Sequence, residues 1–248
     1  MTDKALWQPL RDELARWHDA ARLWLRDDDA IEPTPALDRL AGLARVHNVP
    51  IALAIIPART GPALADRLAE EVHIHPVIHG WSHANHAPAS EKKQELGLHR
   101  PRDAVLGDLA SGLARLHALY GDRLIPMLVP PWNRIDPSLL ADLPAQGFAG
   151  LSAFGHKLES RPGLAVVNTH IDIVDSRAGN RCRDHGVLIR GLTEELTAAR
   201  ATGDGRPVGV LSHHLVSDED AFRFLADLFA VTARSAAVLW RSPGELLK

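Results

Sequence analysis

The sequence predicts an α/β protein, a parallel (β/α) barrel of about seven strands in one domain covering residues 1–248. Three observations predict it. Apolar runs of strand length alternate with segments of helical period, the pattern of strands joined by crossover helices. Residues 51–56 are continuously apolar, as in a parallel strand buried on both faces. No linker divides the 248 residues, a length that suits one barrel. A doubly wound open sheet is the competing arrangement.

The elements follow in order. Leu6, Leu10, Leu14 and Trp17 recur at helical spacing, so residues 4–19 read as an amphipathic helix within an added N-terminal segment, 1–20. Residues 23–25 form a short strand. Residues 34–47 form a helix with Thr34 as N-cap and Pro35 at its first position. Strand 51–56 leads to helix 61–70, and strand-like 72–78 to helix 102–119, which stops at Gly121. Strand 125–129, a short helix at 137–145 and strands 148–153 and 165–169 come next. Helix 193–202, strand 208–211, helix 219–232 and strand 237–240 complete the chain. Segments 85–101 and 175–186 read as long loops.

Composition narrows the function. With 28 basic and 31 acidic residues the net charge is −3, so neither nucleic acid nor an anionic membrane is an expected partner. No apolar run approaches the roughly 20 residues that span a bilayer. The first 20 residues lack the apolar core of an export signal. The single cysteine, Cys182, cannot form an internal disulfide. A cytoplasmic protein acting on a small molecule or a glycan is the expectation, with oligomeric state unspecified. Cys182 lies between two arginines but near no evident base, and is not read as a nucleophile.

Chemistry is concentrated directly after the strand runs. Leu23-Trp24-Leu25 leads into Arg26-Asp27-Asp28-Asp29, and Val77-Ile78 into a segment holding His79, Trp81, His83 and His86. Leu128-Val129 leads into Pro130-Pro131-Trp132-Asn133-Arg134, and Val210-Leu211 into Ser212-His213-His214. In a parallel barrel these positions share the carboxyl-end face, where such enzymes react. Three adjacent carboxylates repel, and a strand end that carries them wants a cation. Histidines four apart can share a divalent metal. Two histidines and one carboxylate leave coordination positions open for water and substrate, which is the catalytic arrangement. Two prolines make the amide of Trp132 the first free donor of its turn, suited to a developing oxyanion. Of His213 and His214, one faces the mouth, because strand side chains alternate. Asp172 or Asp175 could orient it.

Together these clusters resemble the polysaccharide deacetylase superfamily, the carbohydrate esterases of the fourth family. Arg26-Asp27-Asp28-Asp29-Ala30 looks like the family's aspartate motif. The resemblance implies Asp28 as catalytic base and Asp29 as metal ligand, or Asp27 and Asp28 if the alignment slips by one. His79-Gly80-Trp81-Ser82-His83 looks like the two-histidine motif and implies His79 and His83 as ligands, with His86 accessory. Pro130-Pro131-Trp132 looks like the Arg-Pro-Pro-Tyr motif, with Val129 in place of its arginine. Arg134 or Arg26 is available to substitute. Ser212-His213 looks like the last motif and implies His213 as general acid.

The family's distorted barrel and metal-dependent deacetylation follow as expectations. One divalent ion is expected, zinc first, with manganese, nickel or cobalt suited to the same donors. Asp28, Trp132 and His213 would be catalytic, and Trp81, Arg134 and His86 would bind substrate. The substrate expected is an N-acetylated amino sugar, with a non-sugar amide as the alternative. Two other classes remain: a non-catalytic carbohydrate-binding barrel and a non-haem iron oxygenase.

Overall fold

The structure is a computed structural model that describes residues 4–248. Residues 1–3 of the expected N-terminal segment lie outside the described residues. In chain order the elements are α1 (Gln8–Leu14), β1 (Ala21–Ala30), α2 (Pro35–His47), β2 (Ile51–Ile55), α3 (Pro62–Leu68) and β3 (Ile74–His79). Then come α4 (Arg102–Tyr120), β4 (Met127–Val129), β5 (Gly150–Leu151), β6 (Ala165–Val166), β7 (Ile171–Asp172), β8 (Val174–Asp175) and β9 (Arg181–Cys182). The chain ends with α5 (His185–Thr202), β10 (Val208–Ser212), α6 (Glu219–Thr232), β11 (Val238–Trp240) and α7 (Pro243–Leu246).

The main sheet is parallel, in the order β6-β5-β4-β3-β2-β1-β10-β7, with β11 pairing the start of β1. Its two ends, β6 and β7, are successive stretches of one extended segment. Val167 N–H reaches the Leu151 carbonyl, while His170 N–H reaches that of Gly209. The sheet therefore curls round on itself as a distorted barrel. The expected seven strands become eight along the curled path, with the ninth, β11, beside β1.

Strand alternation divides β1 between two environments. Leu23 and Leu25 join the large core under the helices, whereas Trp24 joins a small cluster inside the curl with Ala52, Ala54, Val77, Met127, Val129 and Val167. Leu246 and Leu247, at the chain's C-terminal end, pack on that inner cluster. Arg26 and Asp28 continue the Trp24 face and Asp27 the opposite one, so a strand that begins apolar ends as a two-sided array of buried charge.

Three expectations need correction. The first strand does not stop at Leu25 but runs through the charged residues to Ala30, because each buried charge has a partner. Segment 175–186 is not a plain loop: β8 and β9 form a small antiparallel hairpin, and α5 already begins at His185, capped by the Asp184 side chain. The N-terminal helix is shorter than 4–19. It is held to the outer helices by Trp7 stacked on Phe224 and by buried Glu13 bound to Arg200 at 2.7 Å.

Candidate functional site

The site begins with an irregularity in β1. Asp27 pairs with Leu53 and Ala30 with Ile55, so β1 carries one more residue than β2 between those points. Such a bulge re-aims a side chain. Asp29 takes φ 75°, a conformation costly for a residue with a Cβ, and projects towards the end of β3. Its Oδ1 lies 3.2 Å from His79 Nε2 and 3.3 Å from His83 Nε2.

The donor chemistry of this triad fits a metal. His79 Nδ1 lies 2.9 Å from the Val129 carbonyl, which can only accept, so Nδ1 carries the proton and Nε2 presents its lone pair. That lone pair faces a carboxylate oxygen. Two acceptors so close need a cation between them, either a proton or a metal ion. Burial pushes His79 towards the neutral form, but the Asp29 hydrogen bond and the charges of Asp28 and Asp29 outweigh it and raise its pKa. Burial would likewise raise Asp29; His79, His83 and His213 instead hold it well below the ordinary carboxylate range. Burial and the neighbouring His79 push His83 down, towards the neutral form that ligates metals.

Two further clusters have similar donors and lack this fit. In the His156–His170–Glu195 group, the Gly209 N–H donates to His170 Nδ1 at 3.0 Å. That occupies the ring's lone pair and leaves the proton on Nε2. In the Cys182–His185–Asp220 group, the Cys182 thiol donates to the Arg183 carbonyl, and His185 Nε2 faces the Asp220 carbonyl at 3.3 Å. Burial first, then Asp220 and Asp218, push the Cys182 thiol up to about 12, away from the thiolate that would bind metal.

The loop after β3 is built around a carboxylate that sequence reasoning missed. Glu95 is fully buried and accepts from Ser82 N–H at 2.8 Å, Ser82 Oγ at 2.9 Å and Trp81 N–H at 3.1 Å. This holds His83 at φ 59°. A Cβ on Gly80, at φ 56°, would meet Glu95 Oε2 at 2.2 Å, so only glycine admits the carboxylate there. Glu95 sits in an aperiodic loop, where no pattern announces it.

Opposite the triad, Arg26 clamps Asp28. Nε and one Nη reach the two carboxylate oxygens at 2.9 and 3.0 Å. The rest of the buried guanidinium is bound by the Ser152 hydroxyl at 2.7 Å and Asn133 Oδ1 at 2.6 Å. Of the two arginines available to replace Val129, Arg26 therefore meets Asp28, while Arg134 turns to the Lys93 carbonyl. Asp27 points away from this array. It accepts from the Ser212 hydroxyl at 2.6 Å and from the backbone and ring of His214, so geometry pairs Asp28 with Asp29 rather than Asp27 with Asp28. His213, not His214, lines the cavity, its Nδ1 4.0 Å from an oxygen of Asp172. Burial pushes Asp172 above the ordinary carboxylate range, and the charge of His213 only partly offsets it.

Trp132 and Asn133 both take positive φ, 54° and 58°. With Asp29 and His83 they make four of the six non-glycine residues in that region among the described residues, the kind of strain that collects at functional sites. The Trp132 ring lies 4.3 Å from that of His83. Its N–H has no hydrogen-bond acceptor among the described residues. A cavity of about 710 Å³ joins Asp28, Asp29, His79, His83, Trp132, Arg134 and His213. Trp81 and His86 do not line it. The backbone N–H of Trp81 donates to Glu95 and that of His86 to the Gln94 carbonyl, and the structure does not bring these two residues to the cavity wall with the others.

No family model matches the sequence, and no curated protein does. Solved structures match across nearly the whole chain. A Mycobacterium smegmatis protein assigned to the polysaccharide deacetylases is 16% identical with a TM-score of 0.70, over 94% of this chain and 91% of that one. The Bc1960 peptidoglycan N-acetylglucosamine deacetylase is 16% identical with a TM-score of 0.59, over 93% and 89%. BA3943 from Bacillus anthracis, a pseudoenzyme of carbohydrate esterase family 4, is 12% identical with a TM-score of 0.61, over 93% of this chain and 66% of that one. At these identities the likeness is one of fold: the chain has the fold of the polysaccharide deacetylases and the carbohydrate esterases of family 4.

Proposed function

We propose that the protein is a metal-dependent hydrolase that removes an N-acyl group, most directly N-acetyl, from an amino sugar. The observation that carries this reading is the pairing of two unlike carboxylates at one strand end. Asp29 faces two imidazole nitrogens, while Asp28, one residue earlier, is clamped by Arg26.

In this reading Asp29, His79 and His83 hold a divalent ion, zinc first. When bound, that ion supplies Lewis-acid polarisation of the acyl carbonyl and activation of water. Asp28 takes the proton of the attacking water, oriented by the bidentate Arg26. The unpaired Trp132 N–H donates to the developing oxyanion. His213 protonates the departing amine, its Nδ1 4.0 Å from the Asp172 carboxylate. The amine then leaves with its bond to the acyl carbon broken, and the acid stays behind as acetate.

The fold removes the oxygenase alternative, which rests on antiparallel double-stranded barrels; here the sheet is parallel. A non-sugar amide fits the same machinery. The non-catalytic carbohydrate binder keeps one specific support, the structural likeness to a pseudoenzyme. No helix among the described residues is long and apolar enough to cross a membrane, and Cys182 is free. A reducing, cytoplasmic setting remains part of the proposal.

The test is acetate release from N-acetylglucosamine oligomers by zinc-loaded protein and its Asp28→Asn variant. Acetate from the wild type, reduced about 10²-fold or more in the variant, supports the reading. No acetate from zinc-loaded wild type on sugar or non-sugar amides would move the binding protein to first place.

A further inference from the structure

The cavity over the site holds guanidinium groups that no carboxylate pairs among the described residues. Three arginines line it: Arg134, Arg177 and Arg183. Arg183 is engaged, its Nε donating to the Asp172 carbonyl at 3.0 Å and one Nη to the Asp175 carboxylate at 3.3 Å. Arg134 donates to the Lys93 carbonyl at 2.8 Å and meets no carboxylate among the described residues. Arg177 is tied only through its backbone N–H, to Asp175, and its guanidinium has no partner among the described residues. Lys93 adds a third cation beside Arg134, its ammonium 5.9 Å from the centre of the Trp132 ring.

No carboxylate of the cavity pairs with the guanidinium of Arg134 or Arg177 among the described residues. Asp28 is occupied by Arg26, Asp29 by the two histidines and Asp175 by Arg183, while Asp172 faces His213. Some arginines outside the cavity do find acids, as Arg39 does with Glu219 and Arg67 with Asp38 and Glu71. Guanidiniums without a carboxylate partner keep donors free for an anionic group that enters the cavity. The guanidinium fork matches carboxylate or phosphate oxygens two at a time. Phe154, an exposed aromatic on the same wall, offers an apolar face to a sugar ring.

We propose that the substrate carries an anionic group, a carboxylate or a phosphate, near its acylated nitrogen, and that Arg134 and Arg177 bind it. This rests on the deacylase reading of the same site. A neutral polymer would leave both guanidiniums unpaired in the complex and partly stripped of water. An acidic amino sugar or a sugar phosphate would pair them.

The experiment follows acetate release and calorimetric binding side by side for three probes: N-acetylglucosamine, N-acetylglucosamine 6-phosphate and N-acetylmuramic acid. The proposal expects kcat/KM and affinity for at least one anionic probe to exceed the neutral sugar by about tenfold or more. Whichever anionic probe leads identifies phosphate or carboxylate as the group read. The preference should reside in KM, shrink as salt is raised and collapse in the Arg134→Gln/Arg177→Gln double variant. Equal turnover of all three probes would overturn the proposal and leave the deacylase standing. A preference that survives in the double variant would also overturn it. Arginine-dependent binding of an anionic probe with no acetate from any of them would support the charge reading and count against hydrolysis.

Discussion

Among the described residues two places gather two histidines and a carboxylate within reach of one another: Asp29–His79–His83 at the barrel mouth and His156–His170–Glu195 beside α5. Both offer two imidazoles and one carboxylate. They differ first in the backbone group behind a ring. The Val129 carbonyl takes the Nδ1 proton of His79 and frees Nε2, whereas the Gly209 N–H occupies Nδ1 of His170 and leaves the proton on Nε2. A carbonyl prepares an imidazole to ligate and an amide hydrogen prevents it. Burial differs as well: His79 is buried, while His156 is over half exposed and bound to Glu195 as a surface pair. Donor counting alone does not separate the two groups; the partner behind the ring does.

The contrast breaks most sharply at the first site. His79→Ala should cost more activity and metal affinity than the about 10–100-fold typical of changes behind a ligand. Titration with a colorimetric zinc chelator reads the affinity directly. Next in size is the support of Asp28. Arg26→Met leaves one buried carboxylate without its ion partner, and should cost about 3–5 kcal/mol in urea unfolding. A smaller loss would mean that water enters the site and replaces the guanidinium.

Glu95→Gln sharpens the comparison more gently. The amide nitrogen would turn a donor towards the N–H groups of Trp81 and Ser82, loosening the loop that aims His83. Zinc affinity should fall about 10-fold or more while the Asp29–His79 pair keeps its geometry. Restoration by Glu95→Asp, even in part, would separate positioning from general instability. The smallest effect belongs to the second cluster. Burial, the largest cause, lowers the His170 pKa from 6.5 to about 4. Between those values the unfolded chain binds a proton that the folded one does not, so stability falls as pH drops from 6.5 to about 4 and levels off below. His170→Asn should flatten that slope in urea unfolding, and an NMR titration should place His170 near the lower value.

Much of the site was legible because strand ends are marked twice, by an apolar run and by the polar residues after it. Asp29, His79 and His83 meet as the sequence pattern anticipates, and His213 rather than His214 lines the cavity. What escaped was the charge interior to β1. Charged residues read as the end of a strand, yet Arg26 and Asp28, two apart on one face, neutralise each other, while Asp27 finds Ser212 and His214 on the other. The i, i+2 spacing of opposite charges was the available signal. Glu95 offered none, since its role depends on amides brought to it from a segment 11 to 14 residues earlier. Trp81 and His86 stand close to His83 in sequence yet do not line the cavity with it, in a loop whose backbone turns around the buried Glu95.

The most direct measurement is the metal content of purified protein beside its Asp29→Ala and Glu195→Ala variants, after equilibration with zinc and removal of the excess. The account predicts one ion per chain in the wild type, none in Asp29→Ala and one in Glu195→Ala. An ion retained in Asp29→Ala, or lost in Glu195→Ala, would contradict it.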